Sequence, residues 1–173
     1  MNDIILKVIS LGAILIILKV IILTILDVFN IKYPMKDIVS KYRLEFLFLI
    51  SLMGTVGSLL LSLYFKLAAC ELCWYQRIFL FTIPVISLIA LLKNDVKAKA
   101  YVFWLSLIGF CFALYHTLLQ SGLFSRDTVF CNPNSFIDCS VPSFVYFGFV
   151  TVPVISCAVF LVLLYVSYER KQR

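Results

Sequence analysis

Long apolar runs separated by short polar segments dominate this chain. Four of them, at 44–65, 74–92, 101–119 and 144–165, are almost free of charged residues in their interiors. A helix rises about 1.5 Å per residue, so about 20 apolar residues cross the hydrocarbon core of a bilayer. The pattern therefore predicts four membrane-spanning helices.

A fifth apolar run, at 8–26, carries Lys19 near its middle. A central lysine costs about 3 kcal/mol on the insertion scale, whereas each Leu, Ile or Val returns about 0.3–0.6 kcal/mol. The run is rich in these residues, so we predict an extra membrane helix, with an interfacial helix as the alternative. The predicted fold is an all-α polytopic membrane protein, a four-helix bundle plus this helix. It divides into an N-terminal extension at 1–43, a core at 44–168 and a basic tail at 169–173.

Composition supports a membrane protein. Of the 173 residues, 63% are hydrophobic and 14% are charged, and the mean hydropathy is +1.06. A soluble domain of this length would need more polar surface. The net charge of +6 does not indicate nucleic-acid binding, because the basic residues lie in the segments between apolar runs. We expect membrane lipid as a partner and no nucleic acid.

The basic residues also predict the orientation of the helices. Alternation of the four core helices places three basic segments on one side of the membrane. These segments contain Lys32, Lys36, Lys41, Arg43, Lys93, Lys97, Lys99, Arg170, Lys171 and Arg173. The opposite loops hold only Lys66 and Arg126. The positive-inside rule makes the basic side cytoplasmic, so the loops at about 66–73 and 120–143 are expected to face outward.

Four of the six cysteines lie in these two outward loops. Cys70 and Cys73 form a C-x-x-C motif, and Cys131 and Cys139 flank a turn-forming segment in the other loop. Disulfides that only brace the loops are one reading of such pairs. The spacing of Cys70 and Cys73 instead favours a redox-active dithiol. Cys73 opens a helix whose dipole stabilises a thiolate, and Arg77 lies on the same face one turn deeper.

A structural zinc site is the other alternative for two cysteine pairs. It would need four ligands in a compact cluster. The spacing of Cys131 and Cys139 is loose for such a site, and the positive charge of Arg77 would oppose a metal cation. We therefore expect no metal, and we interpret Cys111 and Cys157, inside apolar runs, as small buried apolar residues.

The single histidine, His116, lies in the last outward turn of the third core helix. An interfacial amphipathic side chain is the simplest interpretation. However, His116 and Arg77 are both expected in the outermost turns of their helices, on the side of the loop cysteines. Two convergent donors in an apolar pocket suit a quinone head group with two carbonyl oxygens. Trp74 could line this pocket, although aromatic residues at this depth also form the ordinary interfacial belt.

A nine-residue segment resembles a known family. The segment Cys70-Glu71-Leu72-Cys73-Trp74-Tyr75-Gln76-Arg77-Ile78 is similar to the C-x-L-C-W-Y-Q-R-I signature of the DsbB/BdbC disulfide formation proteins, closest to the Gram-positive-like branch. The stretch from Tyr115 to Gln120 and the short loop between Cys131 and Cys139 also resemble that family. The resemblance covers about 44–168, and the first 43 residues depart from the compact four-helix pattern.

The resemblance implies a quinone-dependent protein-disulfide oxidase in the bacterial cytoplasmic membrane. In such an enzyme the disulfides would be Cys70–Cys73 and Cys131–Cys139. A reduced DsbA/thioredoxin-like partner would attack the second disulfide, with Cys131 forming the mixed disulfide. Electrons would pass to the first pair, and Cys73 would reduce ubiquinone or menaquinone beside Arg77, His116 and Trp74. A metal-handling membrane protein and a structural subunit with bracing disulfides are the competing functions.

Overall fold

The computed structural model describes residues 2–28, 34–123 and 138–168, with side chains described at 4–23, 38–123 and 138–168. Six α-helices form in these residues. They are α1 (Asn2–Val28), α2 (Pro34–Lys41), α3 (Arg43–Leu63), α4 (Glu71–Lys93), α5 (Ala98–Gln120) and α6 (Val152–Ser167). The described ranges contain no β-strand, only an isolated bridge between Tyr146 and Val150. The all-α fold predicted from the apolar runs is confirmed.

Helix α4 packs between α3 and α5, and α6 packs against α5, α3 and α1. Small residues allow the close contacts in this bundle. A Cβ atom added at Gly109 of α5 would collide with the ring of Phe160 in α6. A Cβ atom at Gly54 of α3 would meet Val159 of α6 at 3.0 Å. Glycine at these two positions therefore sets how closely α6 approaches the other core helices.

Four helices of the described chain are long and apolar enough to cross a membrane: α3, α4, α5 and, in α1, Ile4–Leu23. Helix α6 is apolar but has 16 residues. The chain therefore fits a multi-pass membrane protein. The predicted run at 144–165 is helical only from Val152 onward. Before it, Phe147 and Gly148 adopt positive φ angles of 53° and 81°, which are incompatible with a right-handed helix.

The N-terminal run is confirmed as an apolar helix of membrane-spanning length, and α1 has its main contact with α6. Its packed face carries Leu6, Ser10, Ala13 and Val20, spaced three, four or seven residues apart as a helix face requires. Lys19 is exposed beside this stripe. Helix α1 is thus an addition to the outside of the bundle, on the α6 side.

The two cysteines within apolar runs differ in their surroundings. Cys157 is buried, as predicted, and lies 3.7 Å from the hydroxyl of Thr117. The prediction that Cys111 is buried is wrong, because its side chain is exposed on the outer face of α5. Both residues lie in apolar runs, and they differ only in whether the side chain points into the bundle or away from it.

Candidate functional site

The C-x-x-C motif lies at the beginning of α4. Cys70 is the residue before the first helical turn, with an extended backbone (φ −73°, ψ 174°), and Cys73 follows in that turn. The Cys70 thiol donates a hydrogen bond to Cys73 Sγ, with 3.4 Å between the sulfurs. This bond and burial together raise the pKa of Cys70 to about 12, while a contact with His116 acts in the opposite direction. Cys70 is thus the cysteine of the pair that keeps its proton, and Cys73 accepts the hydrogen bond from it.

His116 lies inside the bundle, with 1% of its side chain exposed. The buried face of α5 carries Val102, Ser106, Gly109 and Ala113 at intervals of three or four residues, and His116 continues this stripe. The interfacial interpretation of His116 is therefore wrong. The same periodicity could have revealed its position, since the stripe extends without interruption to the C-terminal end of the helix.

The imidazole of His116 connects the C-x-x-C motif to the second cysteine segment. Its Nε2 lies 3.1 Å from the backbone oxygen of Cys139 and 3.7 Å from Cys70 Sγ. Its Nδ1 lies 3.1 Å from Gln76 Nε2. A carbonyl oxygen can only accept, so Nε2 carries the proton, and Nδ1 accepts from the Gln76 amide. In this tautomer the Nε2–H group can also donate to the sulfur of Cys70.

Cys139 is fixed in position from two sides. Gln120 Nε2 donates to its carbonyl oxygen at 3.3 Å, beside the bond from His116. On the other side, the Asp138 carboxylate accepts from the backbone N–H of Ser140 at 2.8 Å and from its hydroxyl at 2.7 Å, closing a tight turn around Cys139. Cys139 is 1% exposed. It shares a buried cluster with the C-x-x-C motif, formed by Cys70, Leu72, Leu119 and Cys139, against which Cys73, Phe112 and Tyr115 pack.

Arg77 connects α4 to α3. Its Nε donates to Ser58 Oγ at 3.0 Å, and its Nη2 donates to the Ser58 carbonyl oxygen at 3.2 Å and to the hydroxyl of Ser62. The guanidinium also lies over the Trp74 ring, 5.3 Å from the centroid. No hydrogen bond from Nη1 to a described residue accompanies these contacts. Arg77 is therefore oriented by α3, with one nitrogen left for another acceptor.

Two of the three predicted cofactor residues, Arg77 and His116, contact different neighbours. Arg77 is bonded to α3, whereas His116 is bonded to Gln76 and to Cys139. On a helix, positions three and four residues after Cys73 lie on either side of its direction, one turn deeper. Cys73 therefore lies one turn above Gln76 and Arg77, between the face of α4 that meets His116 and the face that carries Arg77. It is the sulfur that both faces share.

Three polar residues of the site, Gln76, Ser62 and Gln120, have no role in the sequence-based prediction. Gln76 occupies the buried face of α4 between Leu72 and Leu80, a polar residue at helical spacing in an apolar stripe. That spacing was a readable signal for Gln76. Ser62 and Gln120 gave no such signal, because their roles depend on which helix lies opposite. Cys131 falls outside the described residues, and its pairing with Cys139 stays a prediction.

Comparisons with known proteins assign the chain to a family. The family model "Disulfide bond formation protein DsbB" matches residues 41–168. The SPbeta prophage-derived disulfide bond formation protein B of Bacillus subtilis is 42% identical over 66% of this chain and 75% of its own length. The probable disulfide formation protein C of Halalkalibacterium halodurans is 35% identical over 70% of this chain and 90% of its own length. The probable disulfide formation protein of Chlamydia muridarum is 36% identical, over 73% and 90% respectively. No solved structure matches the chain.

Fold and site together define a class, that of helical membrane proteins with a dithiol at one end of the bundle and a further cysteine packed against it. Within that class, the chain belongs to the DsbB family of disulfide bond formation proteins. Membership supports a role in disulfide formation at a membrane. The resemblance seen in the nine-residue motif at 70–78 is confirmed.

Proposed function

We propose that this protein is a quinone-dependent protein-disulfide oxidase of the bacterial cytoplasmic membrane, with both cysteine loops facing outward. It reoxidises a DsbA/thioredoxin-like partner and passes the electrons to ubiquinone or menaquinone. The observation that carries the proposal is the contact network of His116, which connects the Cys70 thiol to the backbone of Cys139. Two cysteine elements from separate loops thus meet at one end of the bundle, as exchange between them requires.

Electrons would enter at the second loop. Cys139 is 1% exposed, so a protein partner has little access to its sulfur. The proposed attack of the partner thiolate is therefore on Cys131 of a Cys131–Cys139 disulfide. This step forms a mixed disulfide and releases Cys139 as a thiolate. The second thiol of the partner then displaces Cys131, and the partner leaves oxidised, with its two electrons on the loop pair.

Transfer to the C-x-x-C motif follows from the buried cluster that contains Cys70 and Cys139. The Cys139 thiolate attacks Cys70 of a Cys70–Cys73 disulfide, and Cys73 leaves as a thiolate at the positive end of α4. Cys131 then attacks Cys139, which re-forms the loop disulfide and frees Cys70. As Cys70 leaves with a negative charge, the Nε2–H group of His116, 3.7 Å away, can donate to it.

The reduced pair would then be reoxidised by the quinone. Cys70 and Cys73 become a disulfide, and two electrons and two protons convert the quinone to a hydroquinone. Cys73 is the proposed site of this step because it lies closest in sequence to Trp74 and Arg77. Arg77 has the Nη1 group for a quinone oxygen, and Trp74, 57% exposed, offers an aromatic surface beside it.

The test is a purified system containing the full chain, a reduced thioredoxin-like partner and a quinone. We expect one quinone reduced for each partner disulfide formed, and loss of this activity in Cys70→Ser and Cys73→Ser. Cys111→Ser is the matched control, because the Cys111 side chain is exposed on the face of α5 that points away from the bundle. Cysteine pairs that stay oxidised, with no quinone consumed, would instead support bracing disulfides.

A further inference from the structure

Three metal-ligating atoms converge at the outer end of the bundle. They are Cys70 Sγ, Cys73 Sγ and His116 Nε2, and they all lie within 4.8 Å of one another. The Cys70 sulfur is 3.4 Å from that of Cys73 and 3.7 Å from the imidazole nitrogen. Two thiols and an imidazole are the donor set of many zinc sites, including catalytic sites with three protein ligands.

The measured distances are close to those of a tetrahedral zinc site. Zinc binds sulfur at about 2.3 Å and imidazole nitrogen at about 2.0–2.1 Å, so neighbouring sulfurs lie about 3.8 Å apart and a sulfur and nitrogen about 3.6 Å apart. The two distances from Cys70 Sγ, 3.4 Å and 3.7 Å, differ from these values by a few tenths of an ångström. Cys70 Sγ thus has nearly the spacing of a zinc ligand to each of its two neighbours, and the remaining separation, between Cys73 Sγ and the imidazole, is within 4.8 Å.

The structure weakens the charge objection that the sequence raised, because Arg77 is held toward α3. Arg77 was expected to oppose a cation near Cys73. Its guanidinium is instead hydrogen bonded to Ser58 and Ser62 on α3 and lies over Trp74. Cys70 Sγ and the His116 imidazole, by contrast, lie toward α5, and Cys73 lies between this side and that of Arg77. Two thiolates would also neutralise a divalent cation, which lowers the cost of placing charge in this buried cluster.

Gln76 supplies the outer contact that a metal-bound histidine needs. A histidine that binds metal through Nε2 carries its proton on Nδ1, and that proton needs an acceptor. Gln76 already lies 3.1 Å from Nδ1 through its amide nitrogen. Rotation of the amide by half a turn places its oxygen there, because the two ends of an amide have the same shape. Gln76 can thus serve both tautomers of His116.

A fourth ligand position remains open in this arrangement. The amide of Gln120 lies beside it, with its nitrogen 3.3 Å from His116 Nε2. Its oxygen is buried and has no hydrogen-bond partner among the described residues. This oxygen could accept a hydrogen bond from a water molecule bound to the metal. The site therefore has a buried, unused acceptor on a side chain that contacts the imidazole.

We propose that the reduced C-x-x-C motif and His116 form a zinc-binding site that arrests the enzyme in its dithiol state. This inference rests on the proposed function, since arrest has meaning only for a protein that cycles. Zinc displaces the thiol protons of Cys70 and Cys73, and the His116 proton moves to Nδ1; no electrons are transferred. The disulfide form has no thiolates, so it does not bind. Zinc thus competes with quinone for the same pair of sulfurs.

The test uses the full chain, reduced with a phosphine and without any partner protein. Cobalt(II) is the probe, because thiolate coordination gives charge-transfer absorption and tetrahedral geometry gives intense visible bands. We expect one cobalt ion per reduced chain, its displacement by zinc, and no binding to the chain after oxidation. Gln76→Leu should weaken zinc binding about 10–100-fold. A double variant, Cys131→Ser with Cys139→Ser, should keep the cobalt spectrum.

Two results would overturn the inference. One is the absence of thiolate-to-cobalt absorption in reduced wild type, a result that does not depend on any variant folding. The other is loss of the spectrum in the double loop variant, which would assign the metal to other sulfurs. A normal cobalt spectrum in a protein that fails to oxidise its partner would refute the proposed function while leaving the site in place. In an active enzyme, zinc should inhibit quinone reduction, and a chelator should restore it.

Discussion

Replacing Arg77 with lysine tests whether the guanidinium serves a quinone or only connects two helices. Arginine uses Nε and Nη2 for Ser58 and Ser62 and keeps Nη1 for another acceptor. Lysine retains the charge but has a single nitrogen, so it cannot reach the serines and a quinone oxygen together. Loss of one charge-assisted hydrogen bond costs about 1.5–3 kcal/mol. This cost corresponds to about a 10–100-fold rise in the apparent Michaelis constant for quinone.

The assay is steady-state oxidation of a reduced thioredoxin-like partner at varied quinone concentration. Thiol exchange between the partner and the Cys131–Cys139 pair, followed in a single turnover without quinone, should be nearly unchanged in Arg77→Lys, since that step occurs at the other loop. Ser58→Ala is the matched control because it removes one anchor and leaves the guanidinium in place. We expect it to lower the melting temperature with little effect on quinone dependence. Wild-type quinone dependence in Arg77→Lys would refute the reasoning and reduce Arg77 to a contact between α3 and α4.

Four further predictions concern topology, the N-terminal helix, packing and the dithiol. An impermeant thiol reagent applied to intact cells after reduction should label the accessible cysteines of the two outward loops, with the buried Cys70 and Cys139 reacting least; labelling only after permeabilisation would reverse the orientation. Deletion of 2–40 should lower the yield of inserted protein more than its specific activity, because α1 has its main contact with α6 rather than with the helices of the site; a well-inserted but inactive truncation would contradict this. Gly109→Ala should reduce the free energy of unfolding by about 1–3 kcal/mol, since the added methyl group meets a ring of α6. Thermal unfolding measures this loss, and Gly57→Ala, with open space around it, is the control. Cys73→Ala should speed alkylation of Cys70 at pH 8–9, because the hydrogen bond that contributes most to raising the Cys70 pKa is lost and more thiolate forms; an unchanged rate by mass spectrometry would mean that burial alone sets this pKa.

Much of the fold could be read from the chain because membrane insertion imposes a simple length requirement. Apolar runs of about 20 residues must become helices, since no other open segment satisfies its backbone in lipid. The prediction erred where a local backbone feature cut a run short. Residues 144–151 are as apolar as a membrane helix, yet the positive φ angles of Phe147 and Gly148 delay α6 until Val152.

The candidate site was predictable in its chemistry and less so in its geometry. Cys70 and Cys73 were identified by spacing alone, because two thiols three residues apart at a helix start are brought together by local structure. The burial of His116 continues the stripe on α5, a periodicity that the prediction of a quinone-pocket residue at this position did not use. The roles of Gln76 and Gln120 required knowing that α5 lies against α4 and that the chain returns to place Cys139 above both.

The sequence by itself indicated the membrane-length apolar helices, predicted a side of the membrane for each loop, and identified the residues that carry sulfur chemistry. Each of these depends on composition or on spacing within one segment. Only the tertiary structure decided that Arg77 is bonded to α3, that His116 connects Cys70 to Cys139, and that two sulfurs and an imidazole nitrogen form one cluster. The physical reason is that a helix presents residues in every direction. Which of those residues meet is set by the rotation of each helix against its neighbours, and this rotation depends on the packing of the whole bundle.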